Sequence, residues 1–151
     1  MVLSLLRSLL ILLAMLAGVH AGAVETTVEG VWKTIDDESG QVRALVRISE
    51  TDGEYLGRIE KTFPQPGEDP NPRCDACDGA RHNQPLAGMI IIEHIRKQGE
   101  EFAGGTILDP ETGTTYRCRM TLAEHGRKLL VRGFVGFSLF GRTQTWLRAE
   151  P

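Results

Sequence analysis

Residues 41–49 read QVRALVRIS, and their apolar side chains fall on every second position. Val42, Ala44, Val46 and Ile48 share one face, with Arg43 and Arg47 on the other. An extended chain sends successive side chains to opposite faces, whereas a helix needs apolar spacings of three and four. The stretch therefore predicts a strand with one face in a core and one in water. Further along, TYRCRMTL (115–122) repeats the alternation, with Tyr116, Cys118 and Met120 set against Arg117, Arg119 and Thr121. KLLVRGFVG (128–136) is a more continuously apolar version.

Turn chemistry separates such runs: Asp52-Gly53, Gln98-Gly99, Asp109-Pro110 through Gly113, His125-Gly126, and the Gly136 to Gly141 segment. Eight strands are expected, over 30–36, 41–50, 54–62, 86–95, 101–108, 114–123, 128–136 and 142–148. All links but one are short, so sequential strands are antiparallel neighbours, and closure into a barrel removes their exposed edges. A two-sheet sandwich would show the same alternation, and the chain ends decide between the two. Gly30-Val31-Trp32 stands near the start and Trp146-Leu147-Arg148 near the end. In an up-and-down barrel with an even strand number the last strand finishes where the first began, so Trp32 and Arg148 become neighbours and close the floor by a guanidinium–indole contact. The expected fold is an all-β, eight-stranded antiparallel up-and-down barrel with a long loop between its third and fourth strands.

The G-x-W opening with a late basic residue resembles the lipocalin and wider calycin pattern. A closer resemblance runs through TIDDESG (34–40), CDACDG (74–79), NQPLAGM (83–89), GGTILDPETG (104–113), YRCRM (116–120) and VRGFVGFSLFGRTQTW (131–146). In that order these blocks resemble the bacterial secreted family catalogued as domain of unknown function 2147, over about Gly30 to Arg148. The resemblance implies a lipocalin-like barrel in an extracytoplasmic location. It implies no reaction, ligand or catalytic residue.

Residues 1–23 have one early cation, Arg7, an apolar run from Ser8 to Leu16, and the small residues Ala21-Gly22-Ala23. That pattern is a secretory signal peptide cleaved after Ala23, with residues 24–151 forming a single domain and no transmembrane segment after cleavage. The chain carries 17 Lys and Arg against 20 Asp and Glu, a net charge of −3 that becomes −4 once Arg7 is removed. No basic run of the kind that tracks a phosphate backbone occurs, so a nucleic-acid partner is not expected.

Following strand direction from a Trp32 floor places the links at 37–40, 63–85, 109–113 and 137–141 at the opposite rim. Asp36, Asp37, Asp109, Arg142 and the cysteine pair should gather there. The 63–85 link is long for a compact domain, and Pro64, Pro66, Pro70 and Pro72 restrict it, which favours an ordered lid. Asp36 and Asp37, with Glu38 before Ser39-Gly40, read mainly as a solvated turn. Arg132 is ambiguous: outside if Val131 and Gly133 face inward, buried and in need of an anionic partner if Leu130 and Phe134 do. Phe137, Leu139 and Phe140 near Arg142 suit an apolar ligand with a charged head, or a simple cap on the core. The candidate ligand-binding set is Asp36, Asp37, Arg132, Phe137, Phe140 and Arg142.

The three cysteines, Cys74, Cys77 and Cys118, favour a disulfide beyond the inner membrane, either within the C-x-x-C pair or from the lid to Cys118. A redox centre needs a thiolate stabilised by a helix N-terminus, which a proline-rich link flanked by Asp75 and Asp78 does not supply. Zinc could draw on Cys74, Cys77, His82 and Cys118, but a second ligand pair at metal spacing is missing. No nucleophile elbow, H-E-x-x-H or phosphate loop is present, so no cofactor and no catalytic residue is expected. Three functions remain: a barrel binding a small, apolar or amphiphilic molecule, a cell-envelope protein-interaction module with a filled barrel, and a zinc or redox protein built on Cys74 and Cys77.

Overall fold

The computed structural model describes residues 27–150; the expected signal peptide and its cleavage site lie outside the described residues. Eight strands close into one antiparallel barrel in simple sequence order: β1 (Gly30–Ile35), β2 (Val42–Thr51), β3 (Glu54–Thr62), β4 (Ile90–Gln98), β5 (Glu101–Asp109), β6 (Thr114–Ala123), β7 (Lys128–Phe134) and β8 (Gly141–Arg148). The barrel and its long loop are thus as the alternation and link lengths imply, with several strand ends shifted: β4 runs on to Gln98 rather than 95, β7 stops at Phe134 rather than 136, and the largest shift is at the start of β4. β4 begins at Ile90, not at residue 86. Leu86 to Met89 belong to the preceding loop, where Gly88 N–H donates to Ile59 O, Met89 N–H to Leu86 O, and Gly88 takes a φ of +91°. Apolar character alone does not mark the point at which that segment joins the ladder.

β4 also carries a bulge at His94, whose φ is +58°. The main chain of Glu93 to Ile95 there presses against Gly105 on β5, and a Cβ at Gly105 would overlap it. A neighbouring Gly57 on β3 faces the Ile92 side chain just as tightly, with a hypothetical Cβ only 2.9 Å from Ile92 Cβ. These glycines let the wall bend where β4 leaves the regular ladder.

β1 and β8 pair through Trp32 with Arg148 and Lys33 with Leu147, the shortest ladder in the barrel. Arg148 reinforces that seam. Its Cζ lies 4.2 Å from the Trp32 ring centroid. Its Nε donates to Gly126 O (2.7 Å), Nη1 to Glu29 O (2.8 Å) and Nη2 to Thr27 O (2.8 Å). Trp32 Nε1 donates to Val28 O at 2.8 Å, so the fully buried indole keeps no unmet donor. Gly30, at φ +124°, leaves room for the guanidinium, since a Cβ there would come 2.9 Å from Arg148 Nη1.

Above this floor, Ile48, Ile95, Phe102, Met120 and Leu129 are packed nearly solvent-free, with Tyr55 meeting Phe102 edge to face at 5.1 Å. The core therefore fills the end of the barrel near Trp32. The other end is open.

A lidded cavity at the rim

The inward positions nearer the rim do not fill the interior. A cavity of about 880 Å³ lies between Ala44, Val46, Ile59, Ile91, Val131 and Trp146 below and the rim loops above. Tyr116 and Ile107 complete its wall and pack against Gly133, where a Cβ would lie 3.4 Å from Tyr116 Cβ. Trp146 Nε1 donates to Gln144 Oε1 at 3.3 Å, so the indole on the wall already has an acceptor.

The β3–β4 loop is the lid. It is held by internal backbone bonds, Cys74 N–H to Gln84 O (2.9 Å), Asn83 N–H to Cys74 O (2.9 Å) and Leu86 N–H to Pro72 O (2.9 Å), and by a bridge between Arg73 and Pro85. Cys74 and Cys77 are joined by a disulfide. Both are buried, and His82 Nδ1 donates to Cys77 O at 2.9 Å. The lid reaches the β5–β6 turn: Cys74 Sγ sits 3.3 Å from Pro110 O, and Gly113 leaves no space for a Cβ against the Ala76 carbonyl. At its near end Arg43 grips Glu68 through two bonds of 3.0 and 3.1 Å.

The lid therefore does not use Cys118. That residue is a free thiol buried on β6, and burial pushes its pKa up to about 12, which leaves it protonated and inert at neutral pH. The lid-to-Cys118 bond, one of the two connectivities considered, is not the one formed. Nor can Cys74 and Cys77 serve as zinc thiolates while their sulfurs are bonded to each other. Among the described residues no group of three or more His, Cys, Asp and Glu is placed to hold a metal ion. The helical segment beside the pair is a three-residue 3₁₀ turn, Gly79–Arg81, too short to provide a helix N-terminus for a thiolate.

Of the six candidate ligand residues, Asp36, Asp37, Phe140 and Arg142 line the cavity mouth, while Arg132 and Phe137 do not. Val131 and Gly133 face inward, so Arg132 points outward. There its Nε donates to Ser138 O (2.7 Å), Nη2 to Leu139 O (3.4 Å) and Nη1 to Thr143 Oγ1 (3.0 Å), which clamps the β7–β8 loop. The tip of that loop is bare: Phe137, Leu139 and Phe140 are 79%, 85% and 72% exposed, and among these only Phe140 also reaches the mouth.

Asp36 is a turn residue, its carboxylate accepting from Ser39 N–H, Ser39 Oγ–H and Glu38 N–H. The Ser39 backbone bond, first among these, lowers its pKa. Arg142 Nε donates to Asp37 Oδ2 at 2.9 Å, joining the first and last rim links, and that bond raises the arginine pKa. Residues that strand alternation did not single out complete the mouth: Arg43, Glu68, Asp75 and Glu111. Arg43 was counted with the outer face of β2, but at the strand's rim end its long side chain reaches the lid.

The family's sequence profile, described as an uncharacterized protein conserved in bacteria (DUF2147), matches residues 30–148. The chain belongs to this family. A comparison with curated protein sequences returns no match. Among solved structures the DUF2147 barrel is similar to protein HP1028 from the human pathogen Helicobacter pylori, described as belonging to the lipocalin family. The TM-score is 0.70 with 17% identity, over 83% of this chain and 85% of that one. At that identity the similarity is one of fold, and the fold is lipocalin-like.

Proposed function

We propose that this DUF2147 protein is a periplasmic or secreted carrier that binds one small, partly apolar molecule in its barrel. The observation that carries this reading is the cavity of about 880 Å³, set above a packed floor and beneath an ordered, disulfide-braced lid. Its volume is within the usual range for sites that bury most of a small ligand, and its deep wall is apolar. The signal-peptide pattern in residues 1–23 supports the compartment, and the disulfide suits an oxidising one.

The test is a titration of the mature protein with N-phenyl-1-naphthylamine, an uncharged dye whose emission rises on leaving water. Saturable binding near one dye per chain is expected, with loss of that binding in Val131→Trp, which projects an indole into the cavity. A parent protein that gives no saturable signal would refute the reading.

The interaction-module reading draws on the exposed Phe137, Leu139 and Phe140. It also called for a filled barrel, and the open volume argues against that half of it. An envelope protein meeting this tip beside the mouth remains compatible with ligand binding, since the tip and the cavity wall are separate surfaces.

A further inference from the structure

The rim around the cavity is strongly unbalanced in charge, and this bears on which head group a ligand in that cavity carries. Seven carboxylates line the mouth against three arginines. Two of the three arginines are already paired with carboxylates. Arg43 is held bidentately by Glu68 and Arg142 by Asp37. Arg73 Nη1 donates to Asn83 O at 2.9 Å inside the lid. Among the described residues no lysine lines the cavity, and no arginine lies deeper among its walls.

The carboxylates divide differently. Asp36 and Asp69 accept from backbone N–H groups of their own turns, and Asp109 accepts from Glu111 N–H (3.0 Å) and Thr112 Oγ1–H (3.0 Å). These bonds hold the charge in place without cancelling it. Among the described residues, Asp75 on the lid and Glu111 on the β5–β6 turn have carboxylates without an ion pair, and both border the mouth. Glu111 is central to the rim: its charge acts on Arg43 at one side and on Arg142 at the other. Below the rim the walls are apolar and aromatic, with Tyr116 and Trp146 offering ring faces.

We infer that the cavity selects an amphiphile with a cationic head, an amine or quaternary ammonium, whose apolar tail occupies the barrel and whose head lies among Asp75, Asp109 and Glu111. This rests on the reading of the cavity as a ligand site. A carboxylate-headed molecule with the same tail meets two arginines that are already neutralised, a third that is outnumbered, and carboxylates that repel it. With a net excess of four negative charges at separations near a Debye length, the preference for cation over anion is about tenfold at low salt and shrinks as salt rises.

The experiment displaces N-phenyl-1-naphthylamine from the mature, oxidised protein with three dodecyl probes below their micelle concentrations: dodecyltrimethylammonium, dodecanol and dodecanoate. The expected order is ammonium, then alcohol, then carboxylate. About tenfold should separate the extremes at low salt, and at most about threefold in 0.5 M sodium chloride. The double substitution Asp75→Asn with Glu111→Gln, both at exposed positions, should reduce the ammonium preference severalfold and leave dodecanol unchanged. If dodecanoate binds as well as or better than dodecyltrimethylammonium while dodecanol displaces the dye, the head-group inference is overturned and the cavity reading stands. If none of the three displaces the dye and the dye itself does not bind, both are overturned.

Discussion

Replacing Arg148 with methionine removes the floor of the barrel while keeping much of the side chain's length. Three donor bonds to main-chain carbonyls, 2.7 to 2.8 Å long, are lost together with the contact to the Trp32 ring at 4.2 Å. The Gly126 and Thr27 bonds are partly buried, and each charge-assisted bond of that kind contributes about 1.5 kcal/mol at the low end. Adding about 1 kcal/mol for the cation over the indole gives a loss of about 4 kcal/mol. At roughly 4 °C per kcal/mol for a domain of this size, the melting temperature should fall by about 15 °C. Thermal unfolding followed by circular dichroism reads the effect directly. Arg148→Lys should sit between parent and Arg148→Met, since an ammonium keeps the charge over the ring but cannot fork to three carbonyls. Dye affinity measured well below the melting temperature should not change in either variant, because the floor lies at the opposite end from the cavity. An Arg148→Met protein that melts within about 3 °C of the parent would show that the guanidinium does not secure the β1–β8 seam.

Alkylation of the denatured, unreduced protein should modify one thiol, Cys118, and reduction beforehand should raise the count to three; two or more without reduction contradicts the Cys74–Cys77 bond. Cys74→Ser with Cys77→Ser should cost about 2 kcal/mol by the chain-entropy argument for so small a ring, read as a shift in urea midpoint, and should speed proteolysis within the lid. Val131→Trp should abolish dye binding with a melting temperature within a few degrees of the parent, because the indole enters open volume; a large loss of stability would mean that the volume is not there. The Arg43 bond to Glu68 holds that carboxyl below its ordinary pKa. A depressed folded-state pKa means that its stabilising effect is fully present above the unfolded pKa of about 4.3 and fades as pH falls through the lower folded value. Protection against hydrogen exchange in the 64–72 part of the lid, taken relative to the intrinsic amide rate at each pH, should therefore fall at acid pH below about 4, and Glu68→Gln should give the lower protection already at pH 7.

Period-two alternation is a local property, so QVRALVRIS and TYRCRMTL declared their strands and inward faces without reference to the rest of the chain. Short links then left antiparallel neighbours as the simple outcome, and eight such strands closed. Arg132 shows the limit of that logic, because LLVRGFVGF is apolar on both faces and the inward side became clear only from its neighbours in the barrel. The start of β4 was hidden for the same reason: Leu86 and Met89 are as apolar as the strand that follows, and the turn closed by Met89 N–H to Leu86 O, with Gly88 at positive φ, separates them from it.

The sequence by itself thus determined the strand count, the topology and the family, because each depends on patterns a few residues long or on conserved order along the chain. Tertiary structure decided the cysteine pairing, the cavity and the charge of the rim. Cys118 lies in the packed wall while the lid passes over the β5–β6 turn, so Cys77 is the partner within reach of Cys74. Open volume is what remains when eight strands bring their inward side chains together. The acidic mouth draws Asp37, Glu68, Asp75 and Glu111 from three separate links and Arg142 from the start of β8, and charges so far apart in sequence act together only once the barrel has closed.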